Sequence, residues 1–147
     1  LKTNLKFKHK IEFIEEMQNH FKYKIKKNNI IVGDLNIAPL ENDVWSHKQL
    51  LNVVSHSPIE IEAFNKFVKN AKLIDIVRNK IPEEKKIYTW WSYRSKDWQK
   101  TNRGRRLDHI LITKDLFKKV NNIEIFKNIR NWKKPSDHIP LWIKLSI

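Results

Sequence analysis

The sequence contains no cysteine, which excludes disulfides and thiolate metal sites and fits a reducing compartment. Glycine is scarce, with two residues, and proline occurs five times in 147 residues. A chain so poor in both is neither a flexible linker nor a collagen-like repeat. No apolar run approaches the roughly 20 residues of a membrane-spanning helix, and residues 1–10 lack the apolar core of a signal peptide. An initiator methionine is missing at Leu1, so the chain is expected to be a fragment or a processed product. Acid is the minority charge: 16 Asp and Glu stand against 30 Lys and Arg, a formal net charge of +14. Such a surface attracts polyanions, nucleic acid above all. A composition rich in Lys, Asn and Ile also arises from genomic base composition, so charge alone leaves both readings open.

What is present argues for a packed domain. Hydrophobic residues make up 40% of the chain and aromatic residues 11%, with six Trp, too much for a disordered segment. Phe7, Ile11, Ile14, Met17 and Phe21 recur at steps of four, three, three and four, the face of an amphipathic helix. Ile30, Ile31 and Val32 form a short β-branched run closed by Gly33 and predict a buried strand. Residues 42–57 show no period. Ser57-Pro58-Ile59-Glu60 predicts a helix start with Ser as cap, Pro in the first turn and Glu reaching back; Ile61, Phe64, Phe67, Val68 and Ala71 supply its apolar face. Residues 87–93 and 107–112 predict strands. Thr113 is expected to cap a short helix running to Val120. Ile123 and Ile125 alternate like a strand edge, and Ile139, Leu141, Ile143 and Leu145 predict a final half-buried strand. Strands interspersed with helices and hairpins imply an α/β or α+β sheet protein.

Three segments place polar chemistry at predicted strand ends. In Gly33-Asp34-Leu35-Asn36-Ile37-Ala38-Pro39, side chains two apart in an extended chain point the same way. Asp34 and Asn36 can therefore project together, the acid as a base or ligand for a hard cation, the amide as a phosphate donor. Gly, Asp, Asn and Pro are also ordinary turn residues. In Arg105-Arg106-Leu107-Asp108-His109-Ile110, an acid leads into an apolar strand and needs a partner. In Pro135-Ser136-Asp137-His138-Ile139-Pro140, an acid and an imidazole adjoin in a loop suited to proton transfer or phosphate contact. Each segment alone reads more simply as a capped turn. Together they supply what phosphodiester hydrolysis needs: a cation site, a group that activates water and donors for a developing oxyanion. A fourth segment, Tyr88 to Trp98, interleaves aromatics with Arg94 and Lys96, and Lys100, Arg103, Arg105 and Arg106 follow. Cations there would pair with phosphates and aromatics would stack on or wedge between bases. Consecutive strand residues face opposite sides, so one of Trp90 and Trp91 is expected in the core.

The segments GDLNIAP, YTWWSYRS with NRGRRLDHILI, and KPSDHIPLW resemble, in order and rough spacing, those of exonuclease III, a member of the endonuclease/exonuclease/phosphatase superfamily. The likeness covers nearly the whole chain. It implies a deoxyribonuclease I-like four-layer α/β sandwich, of which this chain would be the carboxy-terminal half of a single domain. It also implies a Mg²⁺- or Mn²⁺-dependent DNA-repair nuclease, a monomer in the bacterial cytoplasm, acting on double-stranded DNA at abasic sites and 3′ ends. By the same resemblance Asp34 activates water or contacts metal, and Asn36 contacts phosphate and metal. His138 stands by the scissile phosphate, Asp108 orients it, and Asp137 faces the metal. Trp90 and Leu107 build the pocket for a base-less sugar, with Arg105 adjoining; Arg94 and Arg103 are expected to contact DNA as cations of the basic, aromatic segment. The family's amino-terminal half carries a metal-binding Glu, an Asn and a Tyr without counterpart here. Glu12, Glu15 and Glu16 on the first helix cannot be assigned to that Glu, so this chain by itself is expected not to cut DNA. Two alternatives are a superfamily phosphatase for inositol phosphates or lipids and a catalytically inactive nucleic-acid-binding remnant.

Overall fold

The computed structural model describes residues 4–146. Asn4 accepts hydrogen bonds from the Lys6 and Phe7 N–H groups and starts α1 (Leu5–Lys24). The chain continues through β1 (Ile30–Asp34), α2 (His47–Leu50), α3 (Pro58–Asn70), β2 (Leu73–Asp75), α4 (Ile76–Lys80), β3 (Trp90–Trp91) and α5 (Trp98–Thr101). It ends with β4 (Gly104–Arg105), β5 (Asp108–Thr113), β6 (Val120–Ile125) and β7 (Leu141–Leu145). The order β1-β5-β2 makes an antiparallel three-stranded sheet with β5 in the centre. β3 pairs with β4, and β6 with β7. No helix among the described residues is long and apolar enough to cross a membrane.

α1 and α3 lie together on one face of the sheet. Ile14, Phe64, Phe67, Leu73 and Leu111 are buried between them, with Met17, Phe21 and Ile31 packed alongside. Burying each such side chain stabilises by roughly 1.5–3 kcal/mol, so packing rather than helix propensity holds the pair. The cap of α3 is reciprocal: Ser57 Oγ accepts from the Glu60 N–H, and Glu60 Oε2 accepts from the Ser57 N–H at 3.1 Å. On the other sheet face Ile110 and Ile112 join Ile76, Val77, Leu116 and Val120, with residues of β6 and β7 packed against them. Trp91 is the core member of the tryptophan pair, 1% exposed, and packs with Tyr88 and Ile139. A β-carbon at Gly104 would fall 2.5 Å from Tyr88 Cγ, so the packing of the Tyr88 side chain against β4 requires glycine there.

Several elements differ from the sequence expectations. β1 is not a buried strand: Val32 is 66% exposed and Ile30 41%. It is an edge strand whose Ile31 faces the α1–α3 core, while the cluster on the opposite face covers β5 and stops short of β1. The expected strand over residues 87–93 shortens to Trp90–Trp91, because Ile87 and Thr89 bond instead to the Asn42 and Arg105 carbonyls. Thr113 does not cap the turn that follows. That turn, Lys114–Lys119, is a 3₁₀ helix without a side-chain cap, and the Thr113 hydroxyl accepts from the Asn29 N–H at 3.1 Å.

Candidate active site

The ladder of β1 and β5 ends on two acids: Asp34 is the cross-strand partner of Asp108. Two neighbours keep the strand ends together. The Leu35 N–H donates to the Leu107 carbonyl at 3.1 Å. The buried Thr89 hydroxyl accepts from both the Leu107 and Asp108 N–H groups, at 2.9 and 3.1 Å. Beyond the strand the chain turns sharply at Asn36, whose φ is 52°, and the Asn36 N–H donates to Asp34 Oδ1 at 2.7 Å. Asn is among the few residue types that take up this conformation readily.

The loop before β7 delivers His138 to the same place. The Ile139 N–H donates to the Thr89 carbonyl at 2.8 Å and the Trp91 N–H to the Asp137 carbonyl at 3.0 Å, so β3 and the loop are laced together. His138 Nδ1 lies 2.8 Å from Asp108 Oδ2. A carboxylate only accepts, so Nδ1 carries the proton and donates. Its Nε2 then faces Asp34 Oδ2 at 3.8 Å and stays partly open to solvent. Burial pushes the Asp34 carboxyl up from its ordinary value, and the charge of Asp108 adds to that; the Asn36 N–H and His138 pull the other way without cancelling it. Such an arrangement suits proton exchange and contact with a bound oxyanion.

Around this centre the remaining predicted residues divide. Trp90 Nε1 donates to Asp137 Oδ2 at 2.9 Å, which fixes the Asp137 carboxylate beside the indole. Leu107 is buried with Ala38, Val44 and Leu50, and Trp90 and Trp45 pack against this cluster. The Arg105 guanidinium lies over Trp90, 5.7 Å from the ring centre, and Arg103 over Trp45 at 4.6 Å. Arg105 Nη1 donates to the Val54 carbonyl and Ser55 Oγ, both at 2.7 Å. Arg94 is exposed, and its backbone N–H donates to Ser92 Oγ at 3.2 Å.

Beneath the site runs a buried ionic network absent from the sequence expectations. Arg106 donates from Nε and Nη2 to the two oxygens of Asp43, both at 2.8 Å, and from Nη1 to Asp75 at 2.7 Å. Arg78 shares Asp43 at 2.6 Å. His109 Nε2 donates to the Ile37 carbonyl at 2.7 Å, which leaves its Nδ1 to accept from Arg106 at 3.1 Å. The network ties the Asn36 turn, through Ile37, to the strand that carries Asp108. Thr89 and this network were not legible as site supports, because their partners lie up to 72 residues away in sequence.

Residues 20–138 match the model of the endonuclease/exonuclease/phosphatase family. The chain belongs to this family. It is 33% identical to exodeoxyribonuclease III of Haemophilus influenzae, over 93% of this chain and 54% of that protein. It is 32% identical to an exodeoxyribonuclease of Bacillus subtilis, over 83% of this chain and 46% of that protein. An AP endonuclease from Archaeoglobus fulgidus superposes with a TM-score of 0.89 at 29% identity, over 98% of this chain and 56% of that one. The fold is thus the deoxyribonuclease I-like one expected, and the chain spans about half the length of the relatives it matches.

The family is divalent-metal-dependent in general. Among the described residues no three His, Asp or Glu side chains converge in a way that could hold a metal ion. Asp34, Asn36 and Asp137 carry oxygen donors of the kind a hard cation takes, and such a cation often relies on one or two carboxylates, several waters and substrate phosphate.

Proposed function

We propose that this chain carries the imidazole–carboxylate side of a DNA phosphodiesterase that acts as a 3′-5′ exonuclease on duplex DNA and cleaves at abasic sites. The observation that carries the reading is His138 standing between Asp108 and Asp34 at the end of one ladder. Asp34 takes a proton from the attacking water as the water oxygen bonds to phosphorus, and the bond to the leaving sugar oxygen breaks, that oxygen taking a proton from solvent. Asp108 accepts from His138 Nδ1 and steadies the imidazolium, whose Nε2–H donates to an oxygen of the scissile phosphate. The Asn36 amide donates to a second phosphate oxygen. A bound Mg²⁺ or Mn²⁺, held by Asp34, Asn36 and Asp137, would offset the phosphate charge. Trp90 and Leu107 offer an apolar face for a sugar without its base, and Arg94, Arg103 and Arg105 contact the flanking backbone. The net charge of +14 favours such a polyanion over a small phosphate ester.

The test uses the complete encoded protein, an abasic-site duplex, a blunt duplex and a phosphoinositide, each with Mg²⁺, Mn²⁺ or chelator. Chelator-sensitive cleavage of the DNA substrates that is lost in His138→Ala is the expected result. Turnover of the phosphoinositide alone, or DNA cleavage untouched by His138→Ala, would overturn the reading.

A further inference from the structure

Two backbone turns beside the site are held in the left-handed region by non-glycine residues: Asn36 at φ 52° and Ser55 at φ 76°. Asn tolerates this region, but Ser adopts it only where the surroundings over-determine it. Both turns are tied to the same buried carboxylate. The Asn36 carbonyl accepts from Lys10 Nζ at 3.1 Å, and that ammonium is paired with Glu60, whose side chain is 0% exposed. The same oxygen of Glu60 that pairs with Lys10 reaches Ser55: Oε1 accepts the Ser55 N–H at 3.0 Å. Ser55 Oγ in turn accepts from Arg105, which lies over Trp90. Burial lowers the pKa of the Arg105 guanidinium, and the charge of Glu60 opposes that effect.

A helix cap does not account for this arrangement. The cap of α3 needs Ser57 and Oε2 of Glu60, at 3.1 Å from the Ser57 N–H and 2.6 Å from its Oγ. It needs neither a lysine from α1 nor a bond to Ser55. A carboxylate buried this deeply is tolerated because the lysine and these donors compensate it. The ion pair therefore joins three segments that meet beside the site: α1, the turn carrying Asn36 and the loop bracing Arg105.

We propose that Lys10 and Glu60 are positioning residues. Their buried ion pair sets Asn36 for phosphate contact and, through Ser55, sets Arg105 against Trp90, coupling the phosphate side of the site to its apolar side. This inference rests on the phosphodiesterase reading above and adds two residues that none of the strand-end motifs contains.

The experiment uses the complete encoded protein with Lys10→Met, Glu60→Gln, both together, and Lys10→Arg as the conservative variant. kcat and KM on an abasic-site duplex, the melting temperature and amide hydrogen exchange at Asn36 and Ser55 are measured for each. Loss of the pair is expected to lower kcat about 10- to 100-fold, as small misplacements of reacting groups do, with a smaller change in KM. The double variant should be no worse than the more severe single one, Lys10→Arg should retain most of the activity, and Asn36 exchange should accelerate in Lys10→Met. That variant leaves the Ser55 and Ser57 bonds to Glu60 in place, so it remains informative should Glu60→Gln fail to fold. A lower melting temperature with unchanged kcat and unchanged Asn36 exchange would make the pair a helix cap and nothing more, and would overturn the proposal. Should the wild type cut no phosphodiester, the functional reading falls, and Asn36 exchange in Lys10→Met then decides the positioning role by itself.

Discussion

Asp34 and Asp108 oppose each other directly across the β1–β5 ladder, a placement in which two like charges repel. His138 relieves it by donating to Asp108 and facing Asp34.

His138→Ala should lower the rate of DNA cleavage by about 10²–10⁴, the range for a positioned acid–base group. Asp108→Asn should also lower kcat, because an amide no longer demands a proton on Nδ1. Single-turnover cleavage of an abasic-site duplex measures both, and a rate equal to wild type in Asp108→Asn would remove its orienting role.

Thr89→Val keeps the side-chain shape and deletes the oxygen that receives two N–H groups at the start of β5. Leaving buried donors without acceptors costs about 1–3 kcal/mol, so the midpoint of urea unfolding should fall accordingly. Thr89→Ser should restore most of the stability. Equal midpoints for Val and Thr would show that those N–H groups find other acceptors.

Asp75 makes stability depend on pH. Burial alone would raise its pKa, but the charge and hydrogen bond of the Arg106 guanidinium outweigh burial and hold it well below the usual carboxylate range. The folded pKa therefore lies below the unfolded one. Its contribution is fully present above the unfolded value near 3.8 and is lost as pH falls toward the lower folded one. Acid unfolding of the wild type should steepen below that range, and Asp75→Asn should flatten the steepening while lowering stability at neutral pH. Arg106→Met, which deprives Asp75 of its cation and leaves Asp43 to Arg78 alone, should cost about 3–5 kcal/mol.

Arg103 and Arg105 should separate in salt titrations of DNA binding. A cation that pairs with one phosphate contributes about 1 to the slope of log affinity against log salt, so Arg103→Ala should flatten the slope by about that amount. Arg105→Ala should change the slope less, because its Nη1 is already committed to Val54 and Ser55. Equal slopes for wild type and Arg103→Ala would leave Arg103 as a solvated residue stacked on Trp45.

The amino-acid sequence by itself determined the local features: the reciprocal cap of Ser57 and Glu60, the α1 face from Phe7 to Phe21, the inward turn of one tryptophan, and the acids and imidazole at strand ends. These are decided by periods of two and 3.6 residues and by hydrogen bonds within a few residues, so a linear reading finds them. Only the tertiary structure decided which of those groups meet. Asp34, Asp108 and His138 converge because β1 and β5 pair in one register and the loop before β7 is laced to Thr89. Exposure of Val32 depends on where the opposite cluster stops, and the Thr113 hydroxyl abandoned its cap for a distant N–H. The Asp43–Arg78–Arg106 network and the link from Lys10 through Glu60 to Ser55 escaped a linear reading for the same reason. A buried charge is satisfied by whichever partner the packing brings within about 3 Å, and nothing in the spacing of residues along the chain specifies that partner.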